Sequence, residues 1–263
     1  GCVPCMSHQV VTLGCRLNIA ESEAIHAMLD SRAGQTVVVN SCAVTAEAVR
    51  QSRRAVRRLR REHPAARLVV TGCAATISPD DFASMAEVDA VVANPAKLSP
   101  QSWLAREEAP APAFRHHTRA FVPVQTGCDH ACTFCIIPAG RGASVSSPIG
   151  DVLRRVALHL DQGAGEIVLT GVDVTGWGAD LAGAPRLGEL VAAILRAFPG
   201  LARLRLSSLD GVEIDEQLFE LITQEQRVMP HVHLSLQSGD DMILKRMKRR
   251  HSRRQALGLI ERL

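Results

Sequence analysis

Short apolar runs alternate with amphipathic stretches along the first hundred residues. Apolar and β-branched residues predict four strands, at Gln9–Leu13, Thr36–Asn40, Leu68–Thr71 and Val88–Ala93. Between the first two predicted strands, apolar residues recur at helical spacing over 19–30. Thr45, which follows the second strand, is placed to cap the helix after it. Strands that alternate with helices predict a parallel sheet covered by helices. We therefore expect an N-terminal, Rossmann-like α/β domain at residues 7–105.

A second α/β series follows residues 106–120, a segment rich in proline, alanine and charge that we interpret as a linker. Strand-like and helical stretches alternate again over residues 121–263. Only about four strands are recognisable there, whereas a closed eight-stranded βα barrel needs roughly 250 residues. The pattern therefore predicts an open or partial βα barrel.

Composition bears on location and chemistry. The 263 residues are 46% hydrophobic and 22% charged, as in ordinary globular proteins. Because no apolar run reaches about 18 residues and no secretory signal is visible, we expect a cytoplasmic protein without membrane association. Eight cysteines in such a protein favour metal or catalytic use over disulfides. Arginine-rich clusters at 50–61 and 245–254 indicate either a polyanionic partner such as RNA or simply solvated helix faces.

The strongest motif is C-x3-C-x2-C, formed by Cys128, Cys132 and Cys135 directly after a predicted strand. Thiolates are the soft ligands that hold iron–sulfur clusters, and three of them leave one iron of a [4Fe–4S] cluster open to a small molecule. A zinc site that adds His130 is the alternative, although zinc sites usually combine two closely spaced pairs of ligands. The motif and its place at a strand end favour the cluster.

A second set of cysteines is Cys15, Cys42 and Cys73, each just past the end of a predicted parallel strand. Ligands of open α/β sheets gather at that edge, so these thiols are expected to converge and to hold a second cluster. Three buried structural cysteines are the alternative. Cys2 and Cys5 form a C-x2-C pair that we interpret as incidental, since no partner pair follows at zinc-site spacing.

With these six cysteines and their neighbours, the chain resembles the methylthiotransferases, radical SAM enzymes that add a methylthio group to an unactivated carbon. The resemblance runs from about Val10 to Leu263. It rests on the motifs Thr12–Asn18, Val39–Thr45, Val70–Ala74, Gly127–Pro138, Leu169–Asp173, Leu206–Ser208 and His233–Gly239. The Gly-Cys-Arg-Leu-Asn form at Cys15 is similar to the branch that acts on threonylcarbamoyladenosine beside the anticodon. The branches that act on isopentenyladenosine or on a ribosomal-protein aspartate are alternatives.

The resemblance implies two [4Fe–4S] clusters. Cys128, Cys132 and Cys135 would hold the one that binds S-adenosylmethionine (SAM), whose cleavage yields the radical that takes hydrogen from carbon 2 of the adenine. Cys15, Cys42 and Cys73 would hold the auxiliary cluster that carries the sulfur, and no separate catalytic side chain is assigned. The residues implied to line the SAM site are Thr170, Gly171, Asp173, Ser208 and Gln237.

The resemblance also implies partners. These are the anticodon stem-loop of tRNA and an electron donor such as flavodoxin or ferredoxin. Because the chain stops at Leu263 inside an amphipathic stretch, we expect a C-terminally truncated product that lacks the last barrel strands and a small RNA-binding β-domain. A truncated, inactive remnant that merely binds RNA or metal is the alternative from another functional class.

Overall fold

A computed structural model describes residues 8–30, 34–103 and 118–263 of the chain. It divides into two compact units: unit 1 comprises Gly1–Arg115 with Ala139–Arg141, and unit 2 comprises His116–Pro138 with Gly142–Leu263. Most of the linker predicted at 106–120 lies outside the described residues, as do Cys2 and Cys5. The exact domain boundaries therefore stay a prediction.

Among its described residues, unit 1 contains four strands in the order β1-β2-β3-β4, and every neighbouring pair is parallel. Its elements are β1 (Gln9–Thr12), α1 (Arg16–Asp30), β2 (Thr36–Ser41), α2 (Ala46–Glu62), β3 (Arg67–Gly72), α3 (Cys73–Ile77), α4 (Pro79–Ala83) and β4 (Ala90–Val92). The four predicted strands are therefore all present, with bounds that shift by one to a few residues. Helix α3, which begins at a cysteine, was not predicted.

Successive side chains of strand β2 pack against helices on opposite faces of the sheet. On β2, Val37 and Val39 pack into a core with Val56 and Leu59 of α2, whereas Val38 packs with Ile25 of α1 on the other face. Successive side chains of a strand point to opposite faces, so a strand buried on both faces reads as a continuous apolar run. This explains why Thr36–Asn40 lacks polar alternation.

Helix α2 begins where the sequence predicts. The Thr45 hydroxyl accepts a hydrogen bond from the backbone N–H of Ala48 at 3.0 Å, and Glu47 lies in the first turn. Arg60 and Arg61 lie in the last turn, so charges of both signs complement the helix dipole. The cap residue Thr45 lies three residues after Cys42, so the cap defines the backbone that follows this cysteine.

Unit 2 has shorter strands arranged in several sheets. Its elements, with α5 extending into the Ala139–Arg141 segment of unit 1, are β5 (Ala120–Pro123), β6 (Gln125–Thr126), α5 (Ile137–Arg141), β7 (Val145–Ser146), α6 (Ile149–Asp161), β8 (Ile167–Thr170), α7 (Leu187–Ala197), β9 (Leu204–Leu206), β10 (Ser208–Leu209), α8 (Glu216–Gln224), β11 (His233–Leu234), α9 (Asp241–Arg246) and α10 (Arg253–Arg262). Strands β5, β8 and β9 form a parallel sheet, and β10 pairs with β11 in parallel. Strands β6 and β7 pair antiparallel.

These sheets agree with the partial βα barrel predicted from the sequence. Ile167, Val168 and Leu169 of β8 are all fully buried, as expected for the central strand of a parallel sheet covered on both faces. A single residue, Val124, separates β5 from β6, and Ser207 separates β9 from β10, so these strands are short. Within the described residues, no helix is both long and apolar enough to cross a bilayer.

Candidate metal centres

Three of the cysteines of unit 1 follow three neighbouring strands of one sheet. Cys15 comes shortly after β1, Cys42 directly after β2, and Cys73 directly after β3. Burial raises the pKa of the Cys42 thiol; backbone N–H groups oppose the shift, whereas the charges of Cys73 and Cys15 add to it. Such mutual influence requires the three thiols to lie near one another. Only Cys42 is buried, whereas Cys15 is exposed, so three interior structural cysteines do not describe this set.

Gly14 allows the loop of Cys15 to approach Cys42. Its φ is +98°, a conformation that L side chains rarely adopt. A Cβ at this position would lie 2.8 Å from both Cβ and Sγ of Cys42. The Gly-Cys pair is therefore required by packing between two of the candidate ligands.

Asn18 connects the loops of Cys15 and Cys42 through hydrogen bonds. Its side-chain amide donates to the carbonyl of Leu13 at 2.7 Å and to the carbonyl of Ser41 at 3.2 Å. These carbonyls belong to the backbone just before Cys15 and Cys42. Because Asn18 is almost fully buried, its hydrogen bonds hold both loops in a defined position.

In unit 2, Gln125 organises the loop that begins at Cys128. Its side-chain N–H group donates to the carbonyl of Gly127 at 2.6 Å, and its side-chain oxygen accepts from the backbone N–H of Asp173 at 2.9 Å. Gln125 thereby joins the cysteine loop to the segment after β8. Gly127 has a φ of +72°, and an added Cβ would collide with the carbonyl of Ala143.

Cys128, His130 and Asp173 present a compact donor group. One sulfur, nitrogen or oxygen atom of each lies within 4.8 Å of the others, with His130 Nε2 at 3.0 Å from Asp173 Oδ2. Burial raises the pKa of the Cys128 thiol to about 12; the backbone N–H of His130 opposes the shift, and the Asp173 carboxylate and Cys135 add to it. Burial together with Glu213 raises the pKa of Asp173, and His130 opposes that shift. A bound cation would favour the deprotonated forms of Cys128 and Asp173, which burial alone disfavours.

Cys132 has a cationic neighbour that the sequence did not reveal. The Arg249 guanidinium lies 3.5 Å from Cys132 Sγ, 3.0 Å from the Asp210 carboxylate and 2.9 Å from the Ser235 carbonyl. The Cys135 N–H donates to the Cys132 carbonyl at 3.2 Å, closing the tight turn of the C-x2-C step. Arg249 therefore links the C-x2-C turn to Asp210 and to the backbone that follows β11.

The residues predicted to line a SAM site fall into two groups. Thr170, Gly171 and Asp173 lie at the end of β8, and an added Cβ at Gly171 would meet the Gln125 carbonyl at 2.8 Å. Ser208 lies on β10, where its hydroxyl is 3.0 Å from His233 Nδ1. Gln237 follows β11 with an exposed side chain and a φ of +66°. The structure thus joins Asp173 to the Cys128 loop through Gln125, and a SAM contact stays a prediction for all five residues.

Glu21 was missed although the sequence carried a signal for it. It lies on the apolar stripe of α1, four residues after Leu17 and four before Ile25, all three buried. A carboxylate on a buried face indicates a buried partner. Its partners, Lys97 and Arg141, are distant in sequence and gave no comparable pattern.

An α/β chain with two sets of three cysteines at strand ends has the features of an iron–sulfur protein. The profile of the radical SAM superfamily matches residues 122–263, more than half of the chain, and the profile described as uncharacterized protein family UPF0004 matches residues 7–93. The chain belongs to the radical SAM superfamily.

Its relatives include named tRNA methylthiotransferases. It is 43% identical over 274 residues to threonylcarbamoyladenosine tRNA methylthiotransferase MtaB of Rickettsia prowazekii (strain Madrid E), with 98% of this chain and 65% of the relative covered. It is 33% identical over 270 residues to tRNA-2-methylthio-N(6)-dimethylallyladenosine synthase of Roseiflexus sp. (strain RS-1), with 92% and 55% covered. The chain thus spans less than two thirds of these relatives. The resemblance to methylthiotransferases indicated by the cysteine motifs is confirmed.

A solved structure supports the fold. The radical S-adenosylmethionine methyltransferase TsrM from Kitasatospora setae, with tryptophan substrate and a SAM analog bound, matches with a TM-score of 0.60 and 15% identity. The match covers 90% of this chain and 56% of that one. At this identity the likeness concerns the fold alone, and it confirms the α/β class predicted from the strand and helix pattern.

Proposed function

We propose that the chain acts as a tRNA methylthiotransferase that adds a methylthio group to carbon 2 of threonylcarbamoyladenosine next to the anticodon. The observation that carries the proposal is the pair of cysteine sets, one at the strand ends of each unit. Cys128, Cys132 and Cys135 would hold one [4Fe–4S] cluster, and Cys15, Cys42 and Cys73 would hold the other. Related proteins named for this activity in several bacteria support the substrate class.

The donor sets suit such clusters. Each set consists of three soft thiols. In both sets a glycine directly before a cysteine lets the cysteine loop pack closely against a neighbouring segment. When bound, the clusters and SAM supply the one-electron chemistry and the sulfur, while the chain positions and shields them. Gln125 would orient the Cys128 loop against the segment at Asp173. Thr170, Gly171, Asp173, Ser208 and Gln237 would contact the SAM bound at this cluster.

Helix α2 supports a polyanionic partner. It carries seven arginines against two glutamates, and the side chains of Arg50, Arg54, Arg57 and Arg58 are more than half exposed. Each of these four also lies within 4.0 Å of a carboxylate, which is the arrangement expected of a solvated, ion-paired face. We propose that the surplus arginine charge contacts tRNA phosphates, in the cytoplasm where tRNA is modified. An electron donor of the flavodoxin or ferredoxin type would reduce the Cys128-bound cluster.

The zinc alternative is favoured by one specific observation, the grouping of Cys128, His130 and Asp173. One cysteine, one histidine and one carboxylate form a reasonable zinc donor set. That site would leave Cys132 and Cys135 without a role. Metal analysis separates the zinc site from the iron–sulfur cluster, because it distinguishes zinc from iron directly.

The experiment that tests the proposal uses the full chain, loaded anaerobically with iron and sulfide. It is incubated with SAM, a reductant and tRNA that carries either threonylcarbamoyladenosine or isopentenyladenosine, and the nucleosides are identified by mass spectrometry. The proposal expects a methylthio product from the first tRNA and loss of SAM cleavage in Cys132→Ala. A product from the second tRNA alone would move the chain to the isopentenyladenosine branch. SAM cleavage that persists in Cys132→Ala would refute the cluster assignment.

A further inference from the structure

Three ionisable side chains meet in the interior of unit 1. Arg141 donates to both carboxylate oxygens of Glu21, at 2.8 Å and 3.0 Å, and Lys97 Nζ lies 2.5 Å from Glu21 Oε2. Their side chains are only 2%, 5% and 1% exposed for Arg141, Glu21 and Lys97. We call these three residues the ion cluster.

The ion cluster is connected to all three cysteine loops of unit 1. Arg141 also donates to the side-chain oxygen of Asn18 at 2.5 Å, and Asn18 holds the backbone just before Cys15 and Cys42. Beside Arg141, a Cβ at Gly140 would lie 3.1 Å from Cys73 Cβ. Asn94 donates to the Gly140 carbonyl and lies 3.5 Å from Cys73 Sγ.

The charges of the ion cluster do not balance. With all three groups ionised, two cations meet one carboxylate, so these three side chains together carry one net positive charge. Burial opposes the charge on Arg141, but the hydrogen bond and charge of Glu21 raise its pKa, and the thiols of Cys73 and Cys15 add to that rise. Burial lowers the pKa of Lys97, and its ion pair with Glu21 opposes the shift.

A buried ion cluster of this kind needs a reason beyond stability. Replacing buried ion pairs by apolar residues of similar volume is often neutral or stabilising, because the desolvation of the charges is unfavourable. The surplus cation of the ion cluster lies near enough to Cys73 and Cys15 for their charges to act on Arg141. It can therefore offset the negative charge of thiolates and of the group they bind.

We infer that Glu21, Lys97 and Arg141 set the electrostatic environment of the metal group held by Cys15, Cys42 and Cys73 and favour its reduced form. The inference rests on the proposed cluster at these cysteines. An electron added to that cluster increases its negative charge, and the surplus cation stabilises the added charge. The three residues act through the field at the cluster and are positioning residues.

The test measures the midpoint potential of this cluster alone. The full chain with Cys128→Ala, Cys132→Ala and Cys135→Ala is loaded anaerobically and titrated while its electron paramagnetic resonance signal is recorded. Adding Arg141→Met removes one cation and is expected to lower the equilibrium constant for reduction about tenfold, which for one electron is a shift of about 59 mV to lower potential. Glu21→Gln removes the anion and is expected to shift the potential in the opposite direction.

Two controls separate charge from structure. Arg141→Lys keeps the charge and is expected to keep the potential. Arg60→Met removes another ion-paired arginine of unit 1. Its partner Asp89 directly precedes β4, at the opposite end of the strands from the cysteines. It is expected to leave the potential unchanged.

The outcomes distinguish the inference from the function on which it rests. If the background chain binds no iron, the proposed cluster fails and the inference fails with it. If the cluster loads but Arg141→Met and Glu21→Gln shift the potential in the same direction, or leave it unchanged, the inference alone is overturned. Should Arg141→Met fail to load, Lys97→Met takes its place, and opposite shifts from it and Glu21→Gln are still required.

Discussion

Glu23 is a partly buried carboxyl of α1 that should make unit 1 less stable as the pH rises. Burial raises its pKa from 4.5 to about 7, and its Oε1 is buried without a hydrogen-bond partner within residues 8–30, 34–103 and 118–263. Its charged form is therefore disfavoured in the folded chain. Glu23→Gln removes the charge while keeping the shape of the side chain.

The sign and size follow from linkage. The folded-state pKa lies above the unfolded one, so the folded chain retains the proton between pH 4.5 and pH 7 while the unfolded chain loses it, and stability falls across that range. The full shift corresponds to about 3.4 kcal/mol at 1.36 kcal/mol per pKa unit. Because the side chain is partly exposed, screening by water makes the actual free-energy change smaller than this value. Glu23→Gln should therefore stabilise unit 1 by about 1–2 kcal/mol at pH 8 and by close to nothing at pH 4.

Urea unfolding with tryptophan fluorescence provides the assay. The chain has two tryptophans, and Trp103 is buried against α1, so a Trp177→Phe background reports unit 1. Glu62→Gln, the same substitution at an exposed position of α2, serves as the control and should change little at either pH. Equal stabilisation by Glu23→Gln at pH 4 and pH 8, or a larger effect at pH 4, would refute the reasoning.

Three further predictions concern the cysteine loops and the surface. Gly14→Ala, which places a Cβ 2.8 Å from Cys42 Sγ, should prevent iron binding at the unit 1 cysteines and leave about four irons per chain; eight irons after loading would contradict the packing argument. Arg249→Met leaves Asp210 with Arg250 as its remaining cation and should destabilise unit 2 by about 2 kcal/mol in urea unfolding followed through Trp177, with a smaller loss for Arg249→Lys; equal losses would show that the charge is unimportant. Arg54→Glu with Arg57→Glu should weaken tRNA binding and reduce the slope of log affinity against log salt by about one for each phosphate that the protein no longer neutralises, whereas Arg154→Glu, an exposed arginine of α6, should not; equal effects would indicate non-specific charge alone.

The cysteines of unit 1 could be placed from the sequence because local chemistry determines where strands end. Thr45 as a cap and the glycines before Cys15 and Cys73 mark the ends of strands and the starts of helices, and parallel strands bring those ends to one edge. The convergence of three thiols then follows from topology alone.

Other parts of the site depend on contacts between distant segments. Arg141 lies just after the motif of unit 2 but packs into unit 1, and no periodicity in that stretch predicts its ion pair with Glu21. Gln125 is the first residue of β6, and no local pattern predicts that its side-chain amide links two loops. Such roles arise from tertiary packing, which a single sequence does not encode as a local pattern.

The measurement that tests the central claim most directly is the metal content of the full chain after anaerobic loading, for the wild type and for Cys42→Ala and Cys132→Ala. Two [4Fe–4S] clusters predict about eight irons per wild-type chain and about four in each variant, because each substitution removes a ligand from a different set. Cys5→Ala, at the pair interpreted as incidental, should retain about eight. Binding of one zinc with little iron, or a loss of all iron in both variants, would contradict two independent clusters.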